Sequence, residues 1–305
     1  MARVTRRRRI TRYAVDSPPR PREDTLAVEE PLQIRLSALP EAGSSAVHPT
    51  RDLTVTMRTP GHDFDLVTGF LLGEGLFASS DDIAMIRYCA GTDADGLQTF
   101  NVIDVTLAAG VALPPSRVER QVTTTSACGI CGTTSIDDVR RALHTNHSPS
   151  PRASDLRIPM AALLAMPDRL RSAQTLFERT GGVHAAGVFT AYPGLGDVRD
   201  DGDASWELRC VREDVGRHNA VDKVIGWAAR EGLLPWRDAV LQVSGRASFE
   251  LVQKAAMAGM PVLAAVGAPS SLAAELADEL GITLIGFNRG TSLNVYTHPE
   301  RIVPR

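Results

Sequence analysis

Two thiols three positions apart, Cys128 and Cys131, lie in the stretch Thr123-Thr124-Thr125-Ser126-Ala127-Cys128-Gly129-Ile130-Cys131-Gly132-Thr133-Thr134. Ile130 is its one large apolar residue, so the stretch reads as neither a core strand nor an amphipathic helix. Gly129 and Gly132 let the backbone take positive φ and leave the sulfurs exposed. The residues that follow, Ser135-Ile136-Asp137-Asp138-Val139, predict a helix start, with Thr134 or Ser135 as cap and acids in the first turn. Thiols just ahead of a helix N-terminus feel its partial positive charge, which favours thiolate over thiol.

Spacing alone leaves three chemistries open for this pair. Half a zinc site would need two more ligands, and neither a second C-x-x-C nor an H-x₃₋₅-H pair accompanies it; His144 and His147 are spaced H-x-x-H in a polar linker. A thioredoxin-type redox pair should follow the first strand of a compact domain, whereas this one sits in a loop mid-chain. The third reading is a nucleophile that carries a persulfide, with the second thiol nearby. Cys89 and Cys210 stand singly in apolar surroundings and read as buried small hydrophobes.

A second group of residues points to an anionic ligand. Short apolar strands at 239–243, 261–266 and 282–287 alternate with helices at 248–258 and 269–280, which predicts parallel β-α-β units covered on both faces. Handedness then puts the strand C-termini on one edge. The loops there are Ser244-Gly245-Arg246, Gly267-Ala268-Pro269-Ser270-Ser271 and Asn288-Arg289-Gly290-Thr291-Ser292. Two of them feed helix N-termini, whose free N–H groups suit phosphate, and Arg246 and Arg289 add positive charge. Neither G-x-G-x-x-G nor a Walker A is present, so no standard dinucleotide fingerprint applies.

Two further segments hold candidate side chains. In Thr180-Gly181-Gly182-Val183-His184-Ala185-Ala186-Gly187, flanking glycines leave His184 room to face a ligand. A zinc deaminase would need a glutamate where Ala186 stands and cysteines after the histidine rather than before it, so deamination is disfavoured. Glu213-Asp214-Val215-Gly216-Arg217-His218-Asn219 crowds charge into a strand-to-helix junction. Capping explains Asp214 but not Arg217, His218 and Asn219, while Asp222 and Lys223 read as helix-surface charges.

The remaining elements must position these groups. Residues 1–24 are basic and proline-rich and predict a disordered tail. Alternation at 26–36, 53–57 and 99–107 predicts strands, and Phe64, Val67, Phe70 and Leu71 place a helix in 62–77. Pro159 and Pro167 each suit a first helical turn, predicting helices at 159–165 and 167–179. Apolar strands are expected at 183–192 and 206–211, with a helix through Val221, Val224, Ile225 and Trp227. The expected organisation is a basic tail (1–24), an N-terminal α+β unit (25–120), the C-x-x-C loop (121–134), a short helix and linker (135–155) and an α/β unit (156–305).

Composition narrows the class. At 305 residues, 43% hydrophobic and 23% charged, the chain has the makeup of a globular protein with room for two structural units. A net charge of −3 gives no global reason to expect nucleic acid as the partner. No apolar run approaches the ~18 residues of a membrane span. Arg6 to Arg9 are followed by Thr11, Arg12 and Asp16 where a signal peptide or twin-arginine leader needs an apolar stretch, so the cytoplasm is expected.

Taken together, the segments 126–132, 179–186, 213–223, 244–246, 267–271 and 286–290 resemble the FdhD/NarQ family of formate dehydrogenase accessory sulfurtransferases. The resemblance runs from about residue 25 to the C-terminus, with Ala127 standing where a hydroxyl residue is expected. It implies a cytidine deaminase-like α/β fold without its zinc, and a homodimer. It also implies sulfur received from a cysteine desulfurase as a persulfide on Cys128, with Cys131 beside it. The sulfur would pass to molybdenum bis(molybdopterin guanine dinucleotide), bound as a substrate for which GDP is a mimic, and so to formate dehydrogenase. By the same carry-over, Phe287, Asn288, Arg289, Gly290, Thr291 and Ser292 match the family's cofactor-binding stretch. With it go the candidates read from the residues: Ser244, Gly245, Arg246, His184, Arg217 and His218. A chaperone that binds the cofactor without handling sulfur, and a thiol-disulfide oxidoreductase, are the alternatives.

Overall fold

A computed structural model describes residues 3–39, 50–89, 91–92, 98–114, 154–191 and 206–304. Cys128, Cys131, the helix expected after them and the linker to 153 lie outside the described residues.

Strands β1 (Thr5–Ala14) and β2 (Ser17–Ala27) pair as an antiparallel hairpin. This corrects the expected disordered tail: a ladder of backbone hydrogen bonds forms despite a composition too charged and proline-rich to bury a core. Next come β3 (Glu30–Ala38), β4 (Arg51–Arg58), helix α1 (Asp63–Gly73), β5 (Ile83–Tyr88), the two-residue strands β6 (Gly91–Thr92) and β7 (Gln98–Thr99), and β8 (Val102–Leu107). Four of these form a sheet in the order β4-β3-β8-β5, with β3 parallel to β8. Leu32, Ile34 and Leu36 alternate inward from β3 and meet Leu66, Val67 and Leu71 of α1 in one apolar cluster.

The second unit is built on a six-stranded sheet in the order β11-β10-β12-β13-β14-β15. Its strands are β10 (His184–Ala191), β11 (Trp206–Asp214), β12 (Ala239–Val243), β13 (Val262–Ala265), β14 (Thr283–Arg289) and β15 (Ser292–Thr297). As the apolar runs predict, β12, β13 and β14 are parallel. Their flanking neighbours β10 and β15 run antiparallel. Successive side chains go to opposite faces. Leu241, Val243, Leu263, Ala265 and Leu284 pack against helices α4 (Arg217–Arg230), α5 (Phe249–Met257) and α6 (Ser271–Leu280). Val240, Val262, Ala264 and Ile285 pack on the other face against Leu163 and Met166 of α2 (Met160–Ala173). Short strands β9 (Ile158–Pro159) and β16 (Ile302–Val303) pair beside α2.

Helix α2 departs from expectation. It runs through Pro167 instead of starting there, and a short α3 (Thr175–Thr180) follows. Proline has no N–H for the carbonyl four residues back, that of Leu163. The Asn288 side chain donates to that carbonyl instead, at 2.7 Å, so tertiary structure replaces the lost helix bond.

The two units meet where α1 crosses α4. A methyl group on Gly69 would fall onto the carbonyl of Asp222, and one on Gly226 onto that of Asp65, so the backbones touch and only glycine fits. Buried ion pairs surround the crossing: Lys223 with Asp214 at 2.7 Å, and Lys254 with Asp222 and Glu74 at 2.8 Å each. Asp222 and Lys223 are each 1% exposed, which corrects their reading as surface charges. Helical spacing turned them inward, where Lys223 pairs with Asp214 and donates to the Thr59 carbonyl of the first unit, and Asp222 pairs with Lys254.

Candidate functional site

The sheet's C-terminal edge opens into a cleft of about 540 Å³. One wall is the ends of β12, β13 and β14, contributing Ser244, Val266, Asn288, Arg289 and Gly290. The other is α2 and α3, contributing Pro167, Asp168, Leu170, Arg171, Gln174 and Phe177, closed by Gly181 to His184 and by Val215. This volume lies within the roughly 300–1,000 Å³ of small-molecule sites.

Local bonds fix each wall. Ser244 exchanges hydrogen bonds with Ala185: its N–H donates to the Ala185 carbonyl at 3.0 Å, and its hydroxyl accepts from the Ala185 N–H at 2.9 Å. That pairing seats His184 beside Gly245, at whose Cα a methyl would lie 3.5 Å from the imidazole Nδ1. Asn288 is fully buried and donates to Leu163 and, at 3.0 Å, to the Gln242 side chain. Its Oδ1 has no partner among the described residues. Phe287 takes a left-handed backbone, φ 51°, where the β14–β15 register slips. A non-glycine residue held there stores strain of the kind found at ligand sites. Glu213 reaches across to accept from the N–H groups of Leu176 and Phe177 at 2.8 and 2.7 Å, completing the start of α3 and steadying that wall.

The guanidinium groups at this cleft are lightly engaged, and Asp168 is the acid among its lining residues. Arg289 is exposed; its Nε donates to the Val266 carbonyl at 2.8 Å, and its guanidinium lies 5.5 Å from the Phe287 ring centre. Arg171 lies over Phe177 at 4.2 Å. Burial first, then the charges of Arg217 and His218, push the His184 imidazole below its ordinary range, with Asp214 partly offsetting them. A neutral ring at the cleft mouth can therefore accept or donate one hydrogen bond.

The structure brings some of the expected residues together and sets others aside. His184, Ser244, Asn288, Arg289 and Gly290 line the cleft. Gly245 lies just behind His184, and Arg217 approaches from the start of α4. His218 instead faces Ser248 at 3.3 Å and Glu250 at 3.7 Å. Phe287, Thr291, Ser292 and Arg246 stand outside the lining. Loop 267–271 lies against loop 244–247 through bonds from Gly267 N–H to Gly245 and Ser270 N–H to Ala247, and the Ser270 hydroxyl is used as the cap of α6. Asp214 does not cap α4, whose N-cap is Gly216; it is fully buried between Lys223, the Thr59 N–H and the Gly216 N–H.

Sequence reading missed Arg171, Gln174 and Phe177, which sit on an ordinary amphipathic segment; the one signal pointing there was the Thr180-Gly181-Gly182 stop bordering the His184 segment. Among the single cysteines, Cys210 is buried as expected, with burial pushing its thiol up to about 12. Cys89 is only half-buried, donates to Asp104 at 2.6 Å and accepts from Arg35 at 2.9 Å, which corrects its reading as an apolar core residue. Among the described residues no cluster of three or more His, Cys, Asp or Glu could hold a metal ion, and no helix is long and apolar enough to cross a membrane.

A mixed sheet flanked by helices, with a ligand-sized cleft where parallel strands end, defines an α/β protein with a candidate binding cleft at its strand C-termini. The FdhD/NarQ family model matches residues 27–303, and the chain belongs to that family. A protein named sulfur carrier protein FdhD from Streptomyces avermitilis is 50% identical over 305 residues, spanning 100% of this chain and 98% of the relative. One of the same name from Mycolicibacterium paratuberculosis is 52% identical over 299 residues, spanning 98% and 99%. A crystal structure from Desulfotalea psychrophila, assigned as a formate dehydrogenase accessory protein, superposes with a TM-score of 0.63 at 22% identity, covering 99% of this chain and 100% of that one. That likeness is one of fold.

Proposed function

We propose that this chain is a sulfur carrier in formate dehydrogenase maturation. In this reading Cys128 takes sulfur from a cysteine desulfurase as a persulfide, with Cys131 beside it. The cleft holds the acceptor, molybdenum bis(molybdopterin guanine dinucleotide), which is the substrate rather than a resident group. Sulfur transfer in general is supported by relatives named sulfur carrier protein FdhD at about half identity over nearly full length. The observation that carries the acceptor half is the cleft itself, where His184, Ser244, Asn288, Arg289 and Gly290 meet at the ends of parallel strands.

The residues present fit one guanine-nucleotide arm of such a substrate. Arg289 and Arg171 offer guanidinium groups for pyrophosphate, and Phe177, Leu170 and Val266 offer apolar surface for a ring system. About 540 Å³ suits one arm rather than the whole molecule. A neutral His184 adds a directional hydrogen bond without charge. On the sulfur side, transfer of the terminal sulfur breaks the S–S bond and leaves the Cys128 thiolate as leaving group.

The decisive experiment is the intact mass of the protein after incubation with a cysteine desulfurase and cysteine. A gain of one sulfur in wild type, absent in Cys128→Ala, is the expected result. If Cys128→Ala still activates formate dehydrogenase normally, the chain is a cofactor chaperone and not a sulfur carrier.

A further inference from the structure

The basic hairpin lies outside everything the cleft requires. Cross-strand pairs put Arg6, Arg8, Ile10 and Arg12 of β1 on the same face as Leu26, Asp24, Arg22 and Arg20 of β2. That face carries five arginines and a single acid. The opposite face carries Arg7 and Arg9, with Glu23 paired to Arg7 at 3.3 Å.

The hairpin is anchored by that opposite face at its base. The Thr5 hydroxyl accepts from Arg179 at 3.2 Å, and Ala27 lies 3.9 Å from where a methyl on Gly182 would sit. Thr5, Thr25 and Ala27 are accordingly half-buried, while Leu26 on the arginine face is exposed. The arginine face therefore looks away from the body into solvent. Its foot stands beside Gly181 and Gly182, which line the cleft.

Such a face is poorly satisfied as it stands. Arg12 and Arg20 are directly opposite, an unfavourable like-charge pair, and a two-stranded ribbon without an apolar face is marginal alone. Pro18, Pro19 and Pro21 remove N–H donors from β2, which disfavours strand addition along that strand's outer edge. Along β1 the same-face positions, Arg6, Arg8 and, beyond Ile10, Arg12, follow a repeat of roughly 6.5–7 Å. An extended peptide with acids at alternate positions has the same repeat. The rest of the chain carries a net negative charge, because residues 3–27 hold eight arginines against three acids in a total of −3. A long polyanion running past the hairpin would meet that negative body, whereas a short acidic segment would not.

We propose that the arginine face of the β1–β2 hairpin is a docking site for an acidic, extended segment of a partner protein, held next to the mouth of the cleft. The test is fluorescence anisotropy with a labelled alternating Glu-Thr peptide and the full chain at low salt. Replacing Arg8→Ser with Arg22→Ser should weaken binding by about tenfold. Replacing Arg7→Ser with Arg9→Ser removes the same charge from the other face and should weaken it by about threefold at most. Arg8→Lys with Arg22→Lys, which keeps the charge, should retain most of the affinity. Equal losses from the two serine pairs, or no binding by wild type, would overturn the proposal. Duplex DNA binding tighter than the peptide with the same face dependence would replace it with a nucleic-acid site.

Discussion

Helix α4 carries two kinds of polar site within its first two turns. Asn219, Asp222 and Lys223 face the first unit and are buried, each tied to a defined partner: Asn219 to the Met57 carbonyl at 2.7 Å, Lys223 to Asp214 and the Thr59 carbonyl, Asp222 to Lys254. Arg217 faces the ligand edge and is half-buried, and its Nε has no hydrogen-bond partner among the described residues. Charged residues a few positions apart thus serve opposite ends. Where desolvated charges are paired they fix the seam, and where a guanidinium is left lightly engaged it remains available to an anion.

The sharpest way to break this contrast is at the seam. Lys223→Met leaves the fully buried Asp214 carboxylate without its cation and should cost about 3–5 kcal/mol of stability by urea denaturation. A change under 1 kcal/mol would mean that the pair is no more than a surface bridge. Gly69→Ala comes next. Its methyl meets backbone that cannot rotate away, so a loss of about 1–3 kcal/mol or more is expected, read the same way. Neutral behaviour would show that α1 and α4 can move apart freely.

The edge should respond differently. Arg289→Ala, at an exposed position, should leave the urea midpoint nearly unchanged while weakening GDP binding roughly tenfold, about 1.4 kcal/mol. Calorimetric titration of both proteins decides it, and equal affinities would move the ligand away from this edge. The smallest effect concerns Glu250 beside His218. Burial opposes its ionisation, yet hydrogen bonds involving His218, its own backbone and Ser248 hold its carboxyl at about 2, below the ordinary 4.5. A depressed carboxylate stabilises the fold above its unfolded pKa, and that gain is lost as pH falls toward the folded value. The urea midpoint of wild type should therefore exceed that of Glu250→Gln at neutral pH, and the gap should close below about pH 4.5. A gap that widens with acid would reverse the assignment.

Much of the α/β unit was legible because burial on both faces forces a pattern on the chain. Ala239–Val243, apolar but for Gln242, and Val262–Ala265 are short, buried and each followed by a helix, which leaves few alternatives to parallel strands ending at a common edge. From that edge Ser244, Asn288, Arg289 and Gly290, and from the glycine-flanked segment 180–187 His184, could be named as candidates, and they do meet in one cleft. The opposite wall was not legible. Arg171, Gln174 and Phe177 come from a helical segment whose spacing records only that one side is buried, not what the other side approaches.

What the sequence by itself determined is therefore local: strand and helix periods, the glycine- and hydroxyl-rich thiol stretch, and the family resemblance carried by six short segments. Tertiary structure alone decided the direction in which polar residues point. It turned Asp222 and Lys223 inward, carried α2 through Pro167 by lending it Asn288, and folded a composition fit for a loose tail into the β1–β2 hairpin. The physical reason is the same in each case. A charge, a missing N–H or an unpaired strand is a local deficit, and three-dimensional packing rather than residue type decides which group satisfies it, whether that group is near in the chain, as Asp214 is to Lys223, or far, as Leu163 is from Asn288.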